Sequence, residues 1–278
     1  MNYFEIGRSI LKGLFEKRPD WSHKGDFGKL LIIGGSKRYS GAPALCAFAA
    51  LQTGVDITFV LAPKRAADII SSFSPNLIAE PLEGDYLSEK NLDTIIENME
   101  YFDAIAFGMG IGRMPQTMDF VKKIVKEIKK PCVMDADGLH ALKGKKLGKN
   151  FVLTPHAGEF YAMSGLKVDT NLEKRVEIVR SFADQMRCTI VLKGHIDIIS
   201  DGERTAINKT GNPYMTKGGT GDVLTGICGA LLARKIEPFR AACAAAYISG
   251  AAGDFAAKKF KQSMLATDVI EAIVKVIK

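Results

Sequence analysis

The 278-residue sequence contains no CxxC pair. Its five cysteines, Cys46, Cys132, Cys188, Cys228 and Cys243, are scattered and odd in number. That argues against a disulfide framework or a thiolate zinc site and for buried apolar thiols in a reducing cytosol. Long apolar runs are also missing. Met1–Arg18 carries scattered charges and no apolar core, which excludes a secretory signal. The Ala-rich stretch Ala241–Gly253 is broken by Ser249 and Gly250 and falls short of the ~20 apolar residues that cross a bilayer. It reads as a tightly packed buried helix. Pro/Ser-rich linkers, low-complexity tracts and fixed-period repeats are absent, so one domain over 1–278 is the simplest organisation. The densest basic cluster, Lys143, Lys145, Lys146 and Lys149, has no interleaved aromatics. It reads as a solvated loop rather than a nucleic-acid platform.

What remains is an ordinary globular composition, 47% hydrophobic and 25% charged, with a core large enough to enclose a site. The formal net charge of +7 favours anionic ligands in general. Along the chain, apolar runs rich in β-formers alternate with helical patterns. Lys29–Ile33, Asp56–Leu61, Asp103–Phe107, Cys132–Met134, Phe151–Leu153 and Thr189–Leu192 read as strands. Ala42–Gln52, Thr117–Lys129 and Asn171–Met186 read as helices. In Thr117–Lys129 the apolar residues Phe120, Val121, Ile124, Val125 and Ile128 share one face. Ile196–Ser200 and Arg204–Asn208 flank Asp201-Gly202, a hairpin signal. From Gly221 onward the chain reads as mostly helical. This alternation predicts a mainly parallel sheet with helices on both faces, which binds ligands at the carboxyl ends of its strands.

The strongest chemical signal is Thr210–Leu224, where Gly218, Gly219 and Gly221 crowd into four residues just before an apolar helix. Glycine lets the backbone approach a ligand closely, and the first turn of a helix offers unpaired N–H groups and positive dipole. Together they make an anion hole suited to a phosphoryl group. Asp222 stands at its mouth, where a carboxylate accepts a proton from an attacking hydroxyl. Taken alone, a Gly-Asp before a helix reads as a simple cap. The Walker A pattern is absent from this segment.

Gly219-Thr220-Gly221-Asp222 resembles the anion-hole and base signature of the ribokinase-like superfamily. The longer Asn212-Pro213…Gly218–Gly226 is similar to the ADP/ATP-dependent NAD(P)H-hydrate dehydratases. So are His23–Gly28, Leu31–Ser36, Tyr39–Pro43, Gly108–Gly112, Asp135–Leu139, Leu153–Phe160 and Val191–Gly194. These motifs fall in order and cover nearly the whole chain. The resemblance implies a three-layer α/β/α sandwich and a cytoplasmic enzyme. Its activity would be to phosphorylate the ring hydroxyl of hydrated NADH or NADPH (the S-epimer) from ADP or ATP, after which phosphate leaves. It implies Asp222 as base and Gly219, Thr220 and Gly221 as anion hole. Ala42, Gly108, Gly110, His156 and Asp222 would meet the hydrated dinucleotide, and Gly108, Gly110 and Gly112 would let the dinucleotide or phosphates pass the strand end. Lys193, Gly194, His195, Ile196, Asp197 and Gly221 would meet the adenine nucleotide. Magnesium is expected with the nucleotide, without assigned ligands, and Asn212 would help order the phosphates or the ion. Asp135 and Asp137 read equally well as substrate contacts or as turn formers. A homo-oligomer is a family-level expectation. The short leader before His23 leaves no room for the epimerase domain often fused to this module, so a stand-alone dehydratase with a separate epimerase is expected. The sequence departs from the pattern at Met109 and Ala157, where proline is expected. It also departs at Tyr214, where glycine is usual, and at Lys217, where a smaller residue is usual. An ordinary small-molecule kinase of the superfamily, or a non-catalytic nucleotide-binding protein, are the alternatives. The first would leave a stable phosphorylated product and the second would not need Asp222.

Overall fold

The computed structural model describes residues 3–278, so Met1 and Asn2 of the leader discussed above lie outside the described residues. Strand β2 (Lys29–Ile33) shows how the layers arise. Its side chains alternate, and both sides are apolar. Leu30 and Ile32 enter one buried cluster, while Leu31 and Ile33 enter the other. A strand of this kind has to be covered on both faces.

The remaining strands are β1 (Phe4–Glu5), β3 (Ile57–Pro63), β4 (Ile78–Leu82), β5 (Ala104–Phe107), β6 (Cys132–Met134), β7 (Phe151–Leu153), β8 (Thr189–Leu192), β9 (Asp197–Ser200) and β10 (Thr205–Asn208). They form one sheet in the order β1-β10-β9-β8-β7-β6-β5-β2-β3-β4. From β4 across to β8 all neighbours are parallel. Strand β9 runs antiparallel to β8 and β10, closing the predicted hairpin at Asp201-Gly202.

The helices are α1 (Gly41–Gln52), α2 (Lys64–Phe73), α3 (Leu92–Met99), α4 (Pro115–Glu127), α5 (Ala157–Ser164), α6 (Leu172–Met186), α7 (Thr220–Ala233), α8 (Pro238–Phe260) and α9 (Ala266–Ile277). Residues of α1, α2, α7, α8 and α9 pack on the Leu30 side and those of α3–α6 on the Leu31 side. The chain steps from β2 to β3 and β4 in one direction and then returns to the far side of β2 as β5. The connections that leave the carboxyl ends of β2 and β5 therefore diverge, α1 on one face and α4 on the other, which opens a crevice there. No helix of the described residues is long and apolar enough to cross a membrane.

Candidate functional site

Helix α7 sets the position of the site. Every residue from Val223 to Ala233 is buried, and its apolar residues run all round, as a central helix requires. Gly226 rests on the carbonyl of Cys46 in α1, so closely that any Cβ would collide with it. Gly229 faces Leu30, with a notional Cβ 3.0 Å from its Cδ2. The helix is thus pressed between α1 and the sheet, and its first turn emerges at the carboxyl edge. Gly219 takes up the entry angle with φ +96°. A Cβ there would lie 2.6 Å from Leu45 Cδ1 and 2.9 Å from Ala266 Cβ. No side chain caps the helix, so its amino-terminal dipole faces the crevice.

A buried ion-pair network flanks this first turn. Lys193 Nζ, just past β8, donates to Asp135 Oδ1 at 2.8 Å and lies 3.8 Å from Glu159 Oε2. The other Asp135 oxygen accepts Thr225 Oγ1 at 2.9 Å, one turn along α7 from Asp222. A Cβ on Gly221 would lie 3.4 Å from both Asp135 Oδ2 and Lys193 Nζ, so a glycine lets the network meet the helix. Burial raises the Asp222 pKa to about 7. Repulsion from Asp135 and, more weakly, Glu159 adds to the rise, while Lys193 opposes it. Burial works against the charge on Lys193, yet attraction to Asp135 and Glu159 keeps its pKa above the usual lysine value.

Beside the network lies a cavity of about 650 Å³. Its walls include His156, Lys193, Gly194, His195 and Asp197 on one side, and Thr210–Pro213, Met215–Lys217, Thr220 and Gly221 on the other. The second wall is a loop held by α8. Asp254 accepts the Gly211 N–H at 3.0 Å and Asn212 Nδ2 at 2.9 Å. Buried Asn208 donates to Asp197 Oδ2 at 3.0 Å and to the Ala246 carbonyl at 3.2 Å. Asp197 Oδ1 in turn accepts the Gly194 N–H at 2.9 Å, shaping the turn after β8. Burial raises the Asp197 pKa, against the hydrogen bonds from Asn208 and Gly194.

Most residues singled out in the sequence come together here. Lys193, Gly194, His195, Asp197, Asn212, Thr220 and Gly221 line one cavity. Gly219 and Asp222 are not part of its lining; Asp222 follows Gly221 in the first turn of α7. Ile196 does not line it; its side chain packs on the α3–α6 side and its carbonyl accepts Arg175 Nη2 at 3.3 Å. His156 lines the cavity but also caps α5, its Nδ1 accepting the N–H groups of Gly158 and Glu159 at 3.0 and 3.2 Å. Ala42 and Gly110 lie together across the β2/β5 crevice. A Cβ on Gly110 would sit 2.8 Å from Tyr39 Cβ and 3.5 Å from Ala42 Cβ. Gly108 is buried with φ +115° against the backbone of Asp135 and Gly138, a packing position. Asp137 is taken up locally, accepting the Gly112 N–H at 3.0 Å and Arg113 Nε at 2.8 Å.

The departures are also accommodated. Met109 is fully buried, and its carbonyl accepts the Gly35 N–H at 2.8 Å. Ala157 opens α5, and Tyr214 sits in the short 3-10 turn Pro213–Met215. Lys217 Nζ donates to the Gln262 carbonyl. Four residues of the site were not singled out from the sequence: Glu159, Thr225, Asn208 and Asp254. Only Glu159 had a signal, since His156-x-x-Glu159 spaces a capping box, and the structure shows one.

Three layers about a mainly parallel sheet, with an uncapped, glycine-led helix aimed at the carboxyl edge, make a fold of the ribokinase-like kind. The NAD(P)H-hydrate dehydratase family profile matches residues 30–275, and the chain belongs to that family. Among its relatives is the bifunctional NAD(P)H-hydrate repair enzyme Nnr of Pyrobaculum aerophilum. It is 44% identical over 266 residues, covering 95% of this chain and 53% of that protein. The chain therefore spans about half the length of several curated relatives it matches. The ADP-dependent (S)-NAD(P)H-hydrate dehydratase of Cenarchaeum symbiosum is 36% identical over 276 residues, 98% of this chain and 96% of the relative. Among solved structures, the ADP/ATP-dependent NAD(P)H-hydrate dehydratase of Bacillus subtilis, co-crystallized with ATP/Mg2+, matches with TM-score 0.83 and 28% identity. That match covers 99% of this chain and 98% of the other.

Proposed function

We propose that this protein returns the S-epimer of hydrated NADH or NADPH to NAD(P)H at the expense of ADP or ATP. The carrying observation is Asp222: a carboxylate with pKa raised to about 7, in the first turn of an uncapped helix, beside a cavity of nucleotide size. Hydroxide leaves a ring carbon poorly and phosphate leaves well. Asp222 takes the proton from the ring hydroxyl as its oxygen attacks the terminal phosphorus of the donor, which departs as AMP or ADP. The N–H groups of Gly219–Asp222 meet the charge developing on phosphorus, each such donor contributing about 3–4 kcal/mol. Phosphate then leaves with the electrons of the C–O bond, and a proton lost from the neighbouring ring carbon restores the double bond.

In this reading the adenine nucleotide occupies the cavity between Lys193–Asp197 and the Thr210–Lys217 loop. The hydrated dinucleotide reaches Asp222 from the Ala42 and Gly110 side. Among the described residues no cluster of three or more His, Cys, Asp or Glu is arranged to hold a metal. Magnesium keeps several waters and would arrive on the donor's phosphates, whose charge it would neutralise. Both Asp135 oxygens are already engaged, by Lys193 and Thr225, and Glu159 accepts the His156 N–H, so no protein ligand is assigned to the ion. An epimerase activity, on this or another chain, supplies the S-epimer. The test is to mix the protein with prepared NADH hydrate, magnesium and either nucleotide. Reduced-nicotinamide absorbance and free phosphate should rise together. A stable phosphorylated product without recovered absorbance would mark a small-molecule kinase instead.

A further inference from the structure

The charge inventory of the cavity leaves one gap. Two residues with permanent positive charge line it, Lys193 and Lys217. Lys193 is bound to Asp135 at 2.8 Å and has Glu159 at 3.8 Å, so its charge is already answered. Asp197 adds a carboxyl group to the lining, and Asp222 stands next to Gly221, which also lines it. A nucleoside di- or triphosphate entering here would meet at least as many acids as free cations. Beyond the charge that magnesium would bring with the phosphates, a protein cation that no carboxylate has claimed would strengthen anion binding.

Lys217 is that residue among the described lining. It pairs with no acid; its Nζ donates to a single backbone carbonyl, that of Gln262. It stands two positions before Gly219, where the chain turns into α7 and the anion hole begins. Its side chain is exposed, on the loop whose other end Asp254 pins. A carbonyl partner is neutral and exchanges readily for a phosphate oxygen, to which a lysine binds more strongly. The sequence is also unusual at this position, where a smaller residue was expected.

We propose that Lys217 is a polyphosphate-binding residue of this chain, leaving the Gln262 carbonyl to pair with the polyphosphate of the adenine nucleotide. It makes the binding of ADP and ATP depend on their phosphates far more than the glycine-rich helix start alone would. The proposal rests on the nucleotide reading above. It concerns the affinity of the donor and leaves proton transfer to Asp222.

Calorimetric titration of the full-length protein with ADP, ATP and adenosine, in excess magnesium, tests it. Lys217→Met keeps the length of the side chain and removes the charge, while Lys217→Arg keeps the charge. The Met variant should weaken ADP and ATP about tenfold or more, as loss of a charged hydrogen bond does. Adenosine should bind as to the wild type, and the Arg variant should recover most of the loss. Equal ADP affinity in the Met variant and the wild type would overturn the role of Lys217 while leaving the donor reading in place. An equal loss for adenosine would also overturn it, since Lys217 would then only brace the loop on Gln262. If the wild type bound neither ADP nor ATP, the donor reading itself would fall, and this inference with it.

Discussion

Asp222 occupies a place where its two states are nearly balanced. Burial and the Asp135 charge hold its proton, and Lys193 pulls the other way, to leave the pKa at about 7. In the proposed role of base it has to be ionised, so kcat/KM should rise through an acid limb near pH 7. Asp135→Asn removes the second-largest cause of the raised value, and the limb should move to lower pH. A pH profile of the two proteins checks this; an unmoved limb would mean the limb belongs to another group. Asp222→Asn should lower kcat by about a hundredfold to ten-thousandfold while ADP affinity, measured by titration, stays within a few-fold. Similar turnover in that variant would sink the assigned role.

Among the elements, α7 and α1 carry the tightest packing. Gly226 touches the Cys46 carbonyl with no room for a methyl group. Gly226→Ala should therefore force α1 and α7 apart and destabilise by about 1–3 kcal/mol, visible as a lower urea midpoint with the slope unchanged. A midpoint equal to wild type would show that the two helices adjust freely.

The elements legible in the sequence were those with an unmixed signal. β2, β6, β7 and β8 are continuous apolar runs, and their bounds match the reading from the sequence. Helices α1, α4 and α6 showed helical spacing and α7 an unbroken apolar run, although α4 begins two residues earlier, at Pro115, whose fixed φ suits a first turn. Strand β4 was missed because it is an edge, with Ile78 exposed, Pro81 inside it and only Leu82 buried. β1 has two residues and exists through its pairing with β10, a contact 202 positions away in the chain (Phe4 with Ala206). α2 and α3 are short and were passed over between stronger signals. The cavity divides in the same way. The glycine and lysine motifs announced themselves, whereas Thr225, Asn208 and Asp254 act through pairings between distant segments, which spacing along the chain cannot reveal.

For the molecule as a whole, Asp222 exchanges stability for chemistry. Its folded pKa of about 7 stands above the ordinary 3.8. A carboxyl raised in this way makes folding less favourable once the unfolded chain ionises. The penalty is absent below pH about 4, grows up to about 7 and stays constant above that. Asp222→Asn removes the ionisation and with it the penalty. Scanning calorimetry should show the variant melting a few degrees higher than wild type at pH about 8 and no differently at pH about 4. A variant that melts lower at pH 8 would refute the account.

Helix α7 is wedged between α1 and the sheet, buried along its length beyond the first turn. A base mounted there is anchored in the least yielding part of the architecture. In the proposed reaction, reactants would be delivered to a stationary carboxylate. Precision in this active centre is inherited from the hydrophobic interior, so changes that loosen the interior far from the crevice should blur the chemistry before they unfold the chain.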